Sequence, residues 1–374
     1  MAIDVNYWTK RSPFYEATIR SGCGGFAVAN HMLQPHSYMS PLEEYQHLID
    51  GVTLWDVATE RQVEITGPDA LEFVELLTPR DVSACPVGRG RYVVITAEDG
   101  GIINDPILFR LAEKHFWLST SDSDLILWAK GLAVFAGMGV SICEPDVSPV
   151  QIQGPKSIAV IENLFGTRGT DLKYYDIRKF DLDGIPVMLS RTGWSGEDGF
   201  EIFLCDSQYG EELWMRILKA GKAEGIVVTG PSDIRRVEAG ILGYGCDISN
   251  DTNPYEAGLQ WMMATDKQAD YIGKKALRKI REEGINRQLV GIELAGDPLP
   301  QGTFKQRWLA FSGGDKIGDV SVALYSPRLG KNIGYAMLET DYTTPGSSIM
   351  VDAPIGSMAA IVVEKPFIRK TASH

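Results

Sequence analysis

The sequence is poor in the residues that most often build metal centres and disulfide frameworks. Only five histidines and five cysteines occur in 374 residues. The histidines show no metal-ligand spacing, and the motifs C-x-x-C, H-E-x-x-H, G-x-S-x-G and G-x-x-x-x-G-K-[ST] are all missing. We therefore expect no metal centre, no phosphate-loop chemistry and no serine nucleophile, and we expect the cysteines to be reduced, as in a cytoplasm.

Basic residues and long apolar runs are also scarce. Lysine and arginine total 36 against 49 acidic residues, which gives a formal net charge of −13. Proteins that bind nucleic acid normally present a basic surface, so we expect no nucleic-acid partner. No stretch approaches the roughly eighteen apolar residues of a membrane-spanning helix, and the N-terminus has no apolar signal core. These absences predict a cytoplasmic protein without a membrane partner.

The patterns that are present predict an α+β fold. The length of 374 residues exceeds what one hydrophobic core usually serves, so two or three cooperating units are expected. A helix is predicted for 41–50, followed by strands at 52–57 and 61–67 and a helix at 68–77. A block of the same type recurs at 147–166, which hints at two related α+β halves.

The last ninety residues have a different pattern. From residue 285 onward, short strands alternate with Gly, Pro and Ser, and no long helical pattern occurs. A basic helix that ends at Gly284 precedes them. We therefore predict two regions, 1–284 and 285–374, of which the second is an all-β domain.

One glycine motif can be tested by its context. Gly22, Gly24 and Ala27 form a G-x-G-x-x-A sequence, which binds a dinucleotide when a strand precedes it and a helix follows. Residues 14–20 have a helical pattern instead, so dinucleotide binding is disfavoured.

The first segment that could carry chemistry is G-G-I-I-N-D-P-I-L at 100–108. Asn104 and Asp105 interrupt an apolar strand, where unpartnered polar groups are costly to bury. The pair either meets a ligand or forms a turn before Pro106, and the turn is the commoner outcome for these residue types.

The second segment, at 191–203, is a glycine-punctuated loop that enters a strand. Glu201 and Phe203 share one face of that strand, while Phe200 and Ile202 share the other. An acid beside an aromatic ring can hydrogen-bond and stack a flat heterocycle. A glutamate that faces solvent is the commoner alternative.

The third segment, at 235–248, is R-R-V-E-A-G-I-L-G-Y-G-C-D-I. Arg236 and Glu238 are predicted to open a helix that Gly243 and Gly245 would end. An exposed helical pair of this kind is usually a solvated face.

Taken in order, these segments resemble the glycine-cleavage T-protein family. Further matching segments lie at 253–261, 271–277 and 318–336, so the resemblance covers nearly the whole chain. It implies a three-domain cloverleaf of two α+β units and a C-terminal β-barrel-like domain around a central folate-binding channel. It also implies tetrahydrofolate as co-substrate.

The resemblance assigns roles to individual residues. Asp105 matches the acid beside the pteridine and is the implied catalytic residue, and Glu201 matches the glutamate that binds the N–H groups of the pterin. Tyr92 and Arg236 match positions that line or order the folate site. The positions implied to contact the substrate are Trp194, Ser119, Phe203 and Tyr174.

Departures from the aminomethyltransferase pattern bear on the reaction. Asn104 stands where those proteins usually carry a first acid, and segments 30–35 and 77–83 look closer to the dimethylsulfoniopropionate demethylase branch. We therefore predict a demethylase that moves a methyl group from a small sulfonium or methylated amine to tetrahydrofolate, giving 5-methyltetrahydrofolate. The alternatives are a glycine-cleavage aminomethyltransferase with a lipoyl carrier protein, an aromatic O-demethylase and a non-catalytic folate-binding protein. A homodimer remains open.

Overall fold

The computed structural model describes residues 8–264, 266–302 and 304–369. The helices within these ranges are α1 (Tyr15–Arg20), α2 (Pro41–Asp50), α3 (Ala70–Leu77), α4 (Leu125–Ala136), α5 (Ser157–Phe165), α6 (Thr167–Thr170), α7 (Gly210–Ala220), α8 (Asp233–Glu238) and α9 (Lys274–Glu283). Short 3-10 helices lie at Ser207–Tyr209, Gln260–Met262 and Thr340–Tyr342.

The strands follow in chain order. Those before residue 150 are β1 (Gly25–Ala29), β2 (Met32–Ser37), β3 (Thr53–Asp56), β4 (Gln62–Thr66), β5 (Arg89–Tyr92), β6 (Ile95–Thr96), β7 (Ile102–Asn104), β8 (Ile107–Ala112), β9 (His115–Ser119), β10 (Ser141–Cys143) and β11 (Ser148–Gln153). The later strands are β12 (Ile177–Leu182), β13 (Ile185–Ser190), β14 (Gly199–Leu204), β15 (Val227–Val228), β16 (Arg287–Leu294), β17 (Trp308–Ser312), β18 (Asp315–Ser326), β19 (Lys331–Glu339), β20 (Ser348–Ala353) and β21 (Gly356–Val363).

Helix α2 shows how directly the local sequence specifies the structure. The Ser40 side chain accepts a hydrogen bond from the Glu43 backbone N–H, and the Glu43 carboxylate accepts one from the Ser40 N–H. This reciprocal capping satisfies N–H groups that have no partner inside the helix, while Pro41 supplies a backbone already suited to the first turn. The helix ends before Gly51, as predicted.

One compact unit comprises the described residues up to 93 together with 104–232. Its six-stranded sheet has the order β12-β13-β14-β11-β3-β15, in which only the β3–β15 pair is parallel. Every residue of β11 and β14 is buried because these are inner strands, and one face packs against α5 and α7. The core on that face includes Leu54, Ile152, Phe200, Ile202 and Trp214.

A five-stranded sheet in the same unit has the order β10-β4-β9-β8-β5, and its pairs are antiparallel. Ser119 at the end of β9 pairs with Gln62 at the start of β4 and with Ile107 at the start of β8. The segments just beyond these three positions therefore emerge at one end of the sheet. They carry Glu60, Ser121 and Asp105.

The other compact unit comprises residues 94–103 and 233–369 of the described chain. Its main feature is a closed barrel with the strand order β16-β19-β18-β17-β20-β21. The barrel interior is apolar and includes Ile292, Trp308, Ala310, Leu338 and Val351. The prediction of an α+β fold of T-protein type with a C-terminal β-barrel is confirmed. The predicted boundary at residue 284 stays a prediction.

Two local expectations meet different outcomes. The G-x-G-x-x-A motif is preceded by helix α1 and followed by strand β1, which is the reverse of a dinucleotide site. The prediction that the helix at 235 would run to Gly243 or Gly245 is wrong, because α8 ends at Glu238. The chain turns at Gly240, whose φ of 78° is a left-handed conformation that favours glycine.

No helix within residues 8–264, 266–302 and 304–369 has both the length and the apolar character needed to cross a bilayer.

Candidate functional site

The Glu201 carboxylate is the best-ordered polar group of the candidate site. It lies on β14 directly opposite Gln151 of β11 and is only 4% exposed. The Gln151 side-chain amide donates to Glu201 Oε1 at 2.8 Å, and the Thr192 hydroxyl donates to Oε2. The alternative of a solvent-facing glutamate is therefore excluded. A carboxylate has about two lone-pair sites on each oxygen, so these two bonds do not fill its acceptor capacity.

A second acid joins this network. The Gln151 amide nitrogen also donates to Glu60 Oε1 at 3.1 Å, and the Ser119 hydroxyl lies 3.5 Å from Glu60 Oε2. Gln62 donates to the Ser119 oxygen at 2.9 Å and holds it in place. Gln151 on β11 therefore contacts both Glu201 on the neighbouring strand β14 and Glu60 in the connection between β3 and β4.

Asp105 is held in the loop between β7 and β8. Its Oδ2 accepts a hydrogen bond from the Tyr92 hydroxyl at 2.9 Å, and its Oδ1 accepts one from the Ser121 hydroxyl at 2.9 Å. Burial, and then the charge of Asp105, raise the pKa of Tyr92 well above its usual value, so this phenol stays a donor. These two hydrogen bonds fix the orientation of the Asp105 carboxylate.

Asn104, the neighbour of Asp105, has a structural role. Its side chain is fully buried and donates to Ser123 Oγ at 2.7 Å. The segment leaves β7 at Asn104 and enters β8 at Ile107, and it presents Asp105 as a half-buried carboxylate between two hydroxyl groups. Contact of Asp105 with a ligand stays a prediction.

The predicted substrate positions differ in their surroundings. Trp194 is half-buried, and its backbone N–H donates to Gln151 Oε1 at 3.2 Å, so the same glutamine positions both Trp194 and Glu201. Ser119 is buried within the Glu60 network. Both residues therefore share hydrogen-bonding partners with the Glu201 site.

Phe203 and Tyr174 have other environments. Phe203 is fully buried, and its ring centroid lies 5.6 Å from that of Phe109 and 6.0 Å from that of Trp117. Tyr174 is 57% exposed and contacts Tyr175 with ring centroids 4.4 Å apart. Phe203 is thus part of a core in this structure, whereas Tyr174 offers an accessible ring, and their contact with a substrate stays a prediction.

Arg236 belongs to the compact unit that contains the barrel. Its guanidinium donates to Asp233 Oδ1 at 2.7 Å and to Asp247 Oδ2 at 2.6 Å, and it is 3% exposed. Glu238 is also fully buried and accepts a hydrogen bond from Ser326 at 2.6 Å. The expectation of a solvated helical pair is wrong, because both side chains are enclosed by partners. The role of Arg236 in folate binding stays a prediction.

Sequence reasoning missed the residues that organise the site. Glu60, Gln151, Thr192 and Ser121 carry no motif that marks them as functional. Gln151 had one available signal, because a polar residue in the apolar strand V-S-P-V-Q-I-Q-G needs a buried partner. Pairing of β11 with β14 in register identifies that partner as Glu201.

Comparisons with known proteins agree on the family. Residues 14–267 match the family model of the GCVT N-terminal domain, and residues 287–368 match that of the glycine cleavage T-protein C-terminal barrel domain. Over 360 residues the chain is 35% identical to dimethylsulfoniopropionate demethylase DmdA of Ruegeria pomeroyi, covering 96% of this chain and 97% of that protein. Over 367 residues it is 32% identical to an aminomethyltransferase of Geobacillus sp., covering 96% and 99%.

A solved structure gives the same answer. The crystal structure of glycine cleavage system aminomethyltransferase T from Bartonella henselae matches with a TM-score of 0.86 at 26% identity, covering 96% of this chain and 98% of that one. The chain belongs to the glycine cleavage T-protein family.

Members of this family are folate-dependent one-carbon transferases, and the prediction of tetrahydrofolate as co-substrate is confirmed. The residues present fit that molecule. Glu201 is a buried carboxylate whose acceptor capacity is not filled by Gln151 and Thr192, which suits an N–H group of a pterin ring.

Proposed function

We propose that the chain is a tetrahydrofolate-dependent demethylase that takes a methyl group from a small cationic donor, a sulfonium such as dimethylsulfoniopropionate or a methylated amine. The observation that carries the proposal is the Asp105 carboxylate, held by Tyr92 and Ser121 in a unit that also contains buried Glu201. Similarity to a dimethylsulfoniopropionate demethylase over 96% of the chain supports the choice of donor.

One residue of this chain binds the pterin, and two others hold the binding group in position. Glu201 accepts from the N–H groups of the pterin, and Gln151 and Thr192 keep its oxygens aligned. Tetrahydrofolate, when bound, supplies the ring nitrogen that receives the one-carbon unit. Because the reacting atoms of a displacement must be nearly in line, rigid positioning by these residues lowers the barrier.

Asp105 orients the N–H group of the reacting ring nitrogen or accepts its proton. A carboxylate can orient an N–H group or accept its proton, directly or through water. The hydrogen bonds from Tyr92 and Ser121 fix the orientation of the Asp105 carboxylate. Asp105 is therefore the candidate catalytic residue.

Trp194 is the candidate for holding a cationic donor. Its half-buried ring stands on a backbone fixed by Gln151, and a desolvated cation–π contact contributes about 2 kcal/mol. Tyr174 offers a second accessible ring in the same unit. A neutral methoxy donor would gain less from these rings.

The test is to incubate the protein with tetrahydrofolate and a panel of methylated donors: sulfonium, betaine, methylated glycine and methoxybenzoate compounds. Mass spectrometry then identifies the folate product. We expect 5-methyltetrahydrofolate with a cationic donor, and its formation should be slowed by roughly 10²–10⁴-fold in Asp105→Ala. Product from methoxybenzoate alone would replace the proposal with an O-demethylase, and no product from any donor would favour a folate-binding protein without catalysis.

An aminomethyltransferase is the second candidate. It is supported by the 32% identical relatives and by the match to an aminomethyltransferase structure. Such an enzyme would form 5,10-methylenetetrahydrofolate and would need an aminomethyl-loaded lipoyl carrier protein. Formation of that product in a reconstituted glycine-cleavage assay would decide for this candidate.

A further inference from the structure

The side chains of Glu60 and Glu201 converge on a single donor group. The two hydrogens of the Gln151 amide point to Glu60 Oε1 at 3.1 Å and to Glu201 Oε1 at 2.8 Å, and the two carboxyl groups lie within hydrogen-bonding reach of each other. Glu201 lies on β14 and Glu60 in the connection between β3 and β4, so tertiary packing and not chain proximity brings them together.

No positive charge balances this pair in the described part of the chain. The groups that face Glu60 are Ser119, Gln151 and Glu201, and those that face Glu201 are Thr192, Gln151 and Glu60. The nearest arginine in sequence, Arg61, turns to Glu144, with Nε to Oε1 at 2.8 Å. The other titratable groups that sense Glu201 are the phenols of Tyr174 and Tyr175.

Two carboxylates in contact, of which Glu201 is buried and Glu60 half-buried, cannot both be ionised without a large repulsion. We propose that Glu60 and Glu201 share one proton, which resides on Glu60, so that Glu60 acts as a positioning residue by donating a hydrogen bond to the Glu201 carboxylate. The positioning role rests on the proposed binding of the pterin by Glu201. The hydrogen bond occupies one lone pair of Glu201 and leaves one for a pterin N–H.

The hydrogen bonds of the two groups favour Glu60 as the site of the proton. Glu201 accepts from the Gln151 amide at 2.8 Å and from the Thr192 hydroxyl, whereas Glu60 has the longer contacts, 3.1 Å to Gln151 and 3.5 Å to Ser119. Because hydrogen-bond donors stabilise the ionised form of a carboxyl group, the charge lies on Glu201 and the proton on Glu60. Burial, and then the charge of Glu201, also raise the pKa of Glu60 well above its usual value.

The pair links folding to proton uptake. An unfolded glutamate loses its proton near its usual pKa of 4.5, whereas folded Glu60 retains it to higher pH. The contribution of the protonated pair to stability is fully present below the unfolded pKa and is lost as pH rises through the folded pKa. Between these values, folding takes up one proton through this pair.

The experiment compares wild type, Glu60→Gln, Glu60→Ala and the control Glu64→Gln, all as the full chain. Infrared difference spectra of protein with ¹³C-labelled glutamate, recorded at neutral pH, report a protonated glutamic acid by its C=O stretch. The control residue lies four positions away, and its hydrogen bonds to Trp117 and His115 help to lower its pKa, so it is ionised at this pH. We expect the band in wild type and in Glu64→Gln, and its loss in Glu60→Gln.

The thermal midpoint supplies a second readout. From pH 5 upward, the wild-type midpoint should fall more steeply with pH than that of Glu60→Gln, because the amide cannot ionise. Glu60→Gln keeps an N–H donor and should bind tetrahydrofolate nearly as wild type does. Glu60→Ala removes the donor from a charged acceptor and should weaken binding about tenfold.

The shared proton and the positioning role of Glu60 are tested by different outcomes. A wild-type spectrum without the band, a band that persists in Glu60→Gln, or parallel pH profiles would overturn the shared proton. These measurements need no folate. Equal tetrahydrofolate affinity in wild type and Glu60→Ala would overturn the positioning role, whereas loss of the proposed function would show as no tetrahydrofolate binding in wild type.

Discussion

The two compact units each bury a cluster of charge, and the clusters differ in balance. In the barrel-containing unit, the Arg236 guanidinium pairs with Asp233 and with fully buried Asp247. In the other unit, Glu60 and Glu201 meet around a neutral glutamine. Arg236 balances buried Asp247 one to one, while Asp233 is 68% exposed, and we call this the balanced cluster. The pair of Glu60 and Glu201 has no cation among its hydrogen-bonding partners, and we call it the acidic cluster.

The difference separates structural charge from functional charge. The balanced cluster satisfies its own members, since Gly243 N–H, Ser321 and Arg236 all donate to Asp247. The acidic cluster leaves a lone pair of Glu201 without a donor, and this arrangement lowers stability. A fold retains such an arrangement where a ligand provides the missing donor. We infer that removing a charge has opposite effects on stability in the two clusters.

The largest expected effect is on turnover. Asp105→Ala should lower turnover by roughly 10²–10⁴-fold, because a positioned carboxylate that orients or accepts a proton contributes that much. The thermal midpoint should stay near wild type, since Asp105 is half-buried and its partners are hydroxyl groups. Glu98→Ala, at an exposed acid of the neighbouring segment, is the matched control. Turnover that survives in Asp105→Ala removes this residue from the mechanism.

The next effect tests the balanced cluster. Asp247→Ala leaves the buried Arg236 charge without its closest partner and should cost about 3–5 kcal/mol of unfolding free energy. Asp319→Ala disrupts the more exposed pair with Arg307 and should cost at most about 1 kcal/mol. Urea unfolding of both variants gives the two values. Similar losses in both variants would contradict the structural role assigned to the Arg236 cluster.

Glu201→Gln should shift stability and binding in opposite directions. The amide removes one of two adjacent acids, so the unfolding free energy at neutral pH should rise by about 1 kcal/mol. Tetrahydrofolate affinity should fall about ten- to a hundredfold, because a hydrogen bond to a charged acceptor is lost. A variant that is both less stable and unaffected in binding would remove the contrast between the clusters.

The smallest effect concerns Tyr92. Tyr92→Phe removes one of the two hydrogen bonds to Asp105 and should lower turnover by about two- to tenfold. Ser121→Ala removes the other and should have a similar effect. Steady-state kinetics of both single variants and the double variant measure the coupling, and additive small losses would indicate that the two hydroxyl groups act independently.

Much of the fold could be predicted from local sequence. Helix α2 follows from Ser40, Pro41 and Glu43, and the closed barrel agrees with short strands separated by Gly, Pro and Ser. The end of α8 was missed because three glycines follow Glu238 and the sequence does not show which one adopts the left-handed conformation. Gly240 does so first.

The site could be predicted only where a family motif marks it. Asp105 and Glu201 were found in this way, but Glu60 and Gln151 were not. Strand pairing brings Glu201 opposite Gln151, and the connection between β3 and β4 adds Glu60, which lies 141 positions before Glu201 in the chain. Such proximity depends on tertiary packing, and a single sequence gives no local signal for it.

Titration calorimetry with tetrahydrofolate shows directly whether the acidic cluster binds the reduced pterin. We expect saturable binding to wild type, the same affinity in Glu64→Gln, and binding weakened about ten- to a hundredfold in Glu201→Gln, with the thermal midpoint of that variant undiminished. Equal affinity in wild type and Glu201→Gln, or no heat of binding in wild type, would contradict the claim that this acidic site holds the reduced pterin.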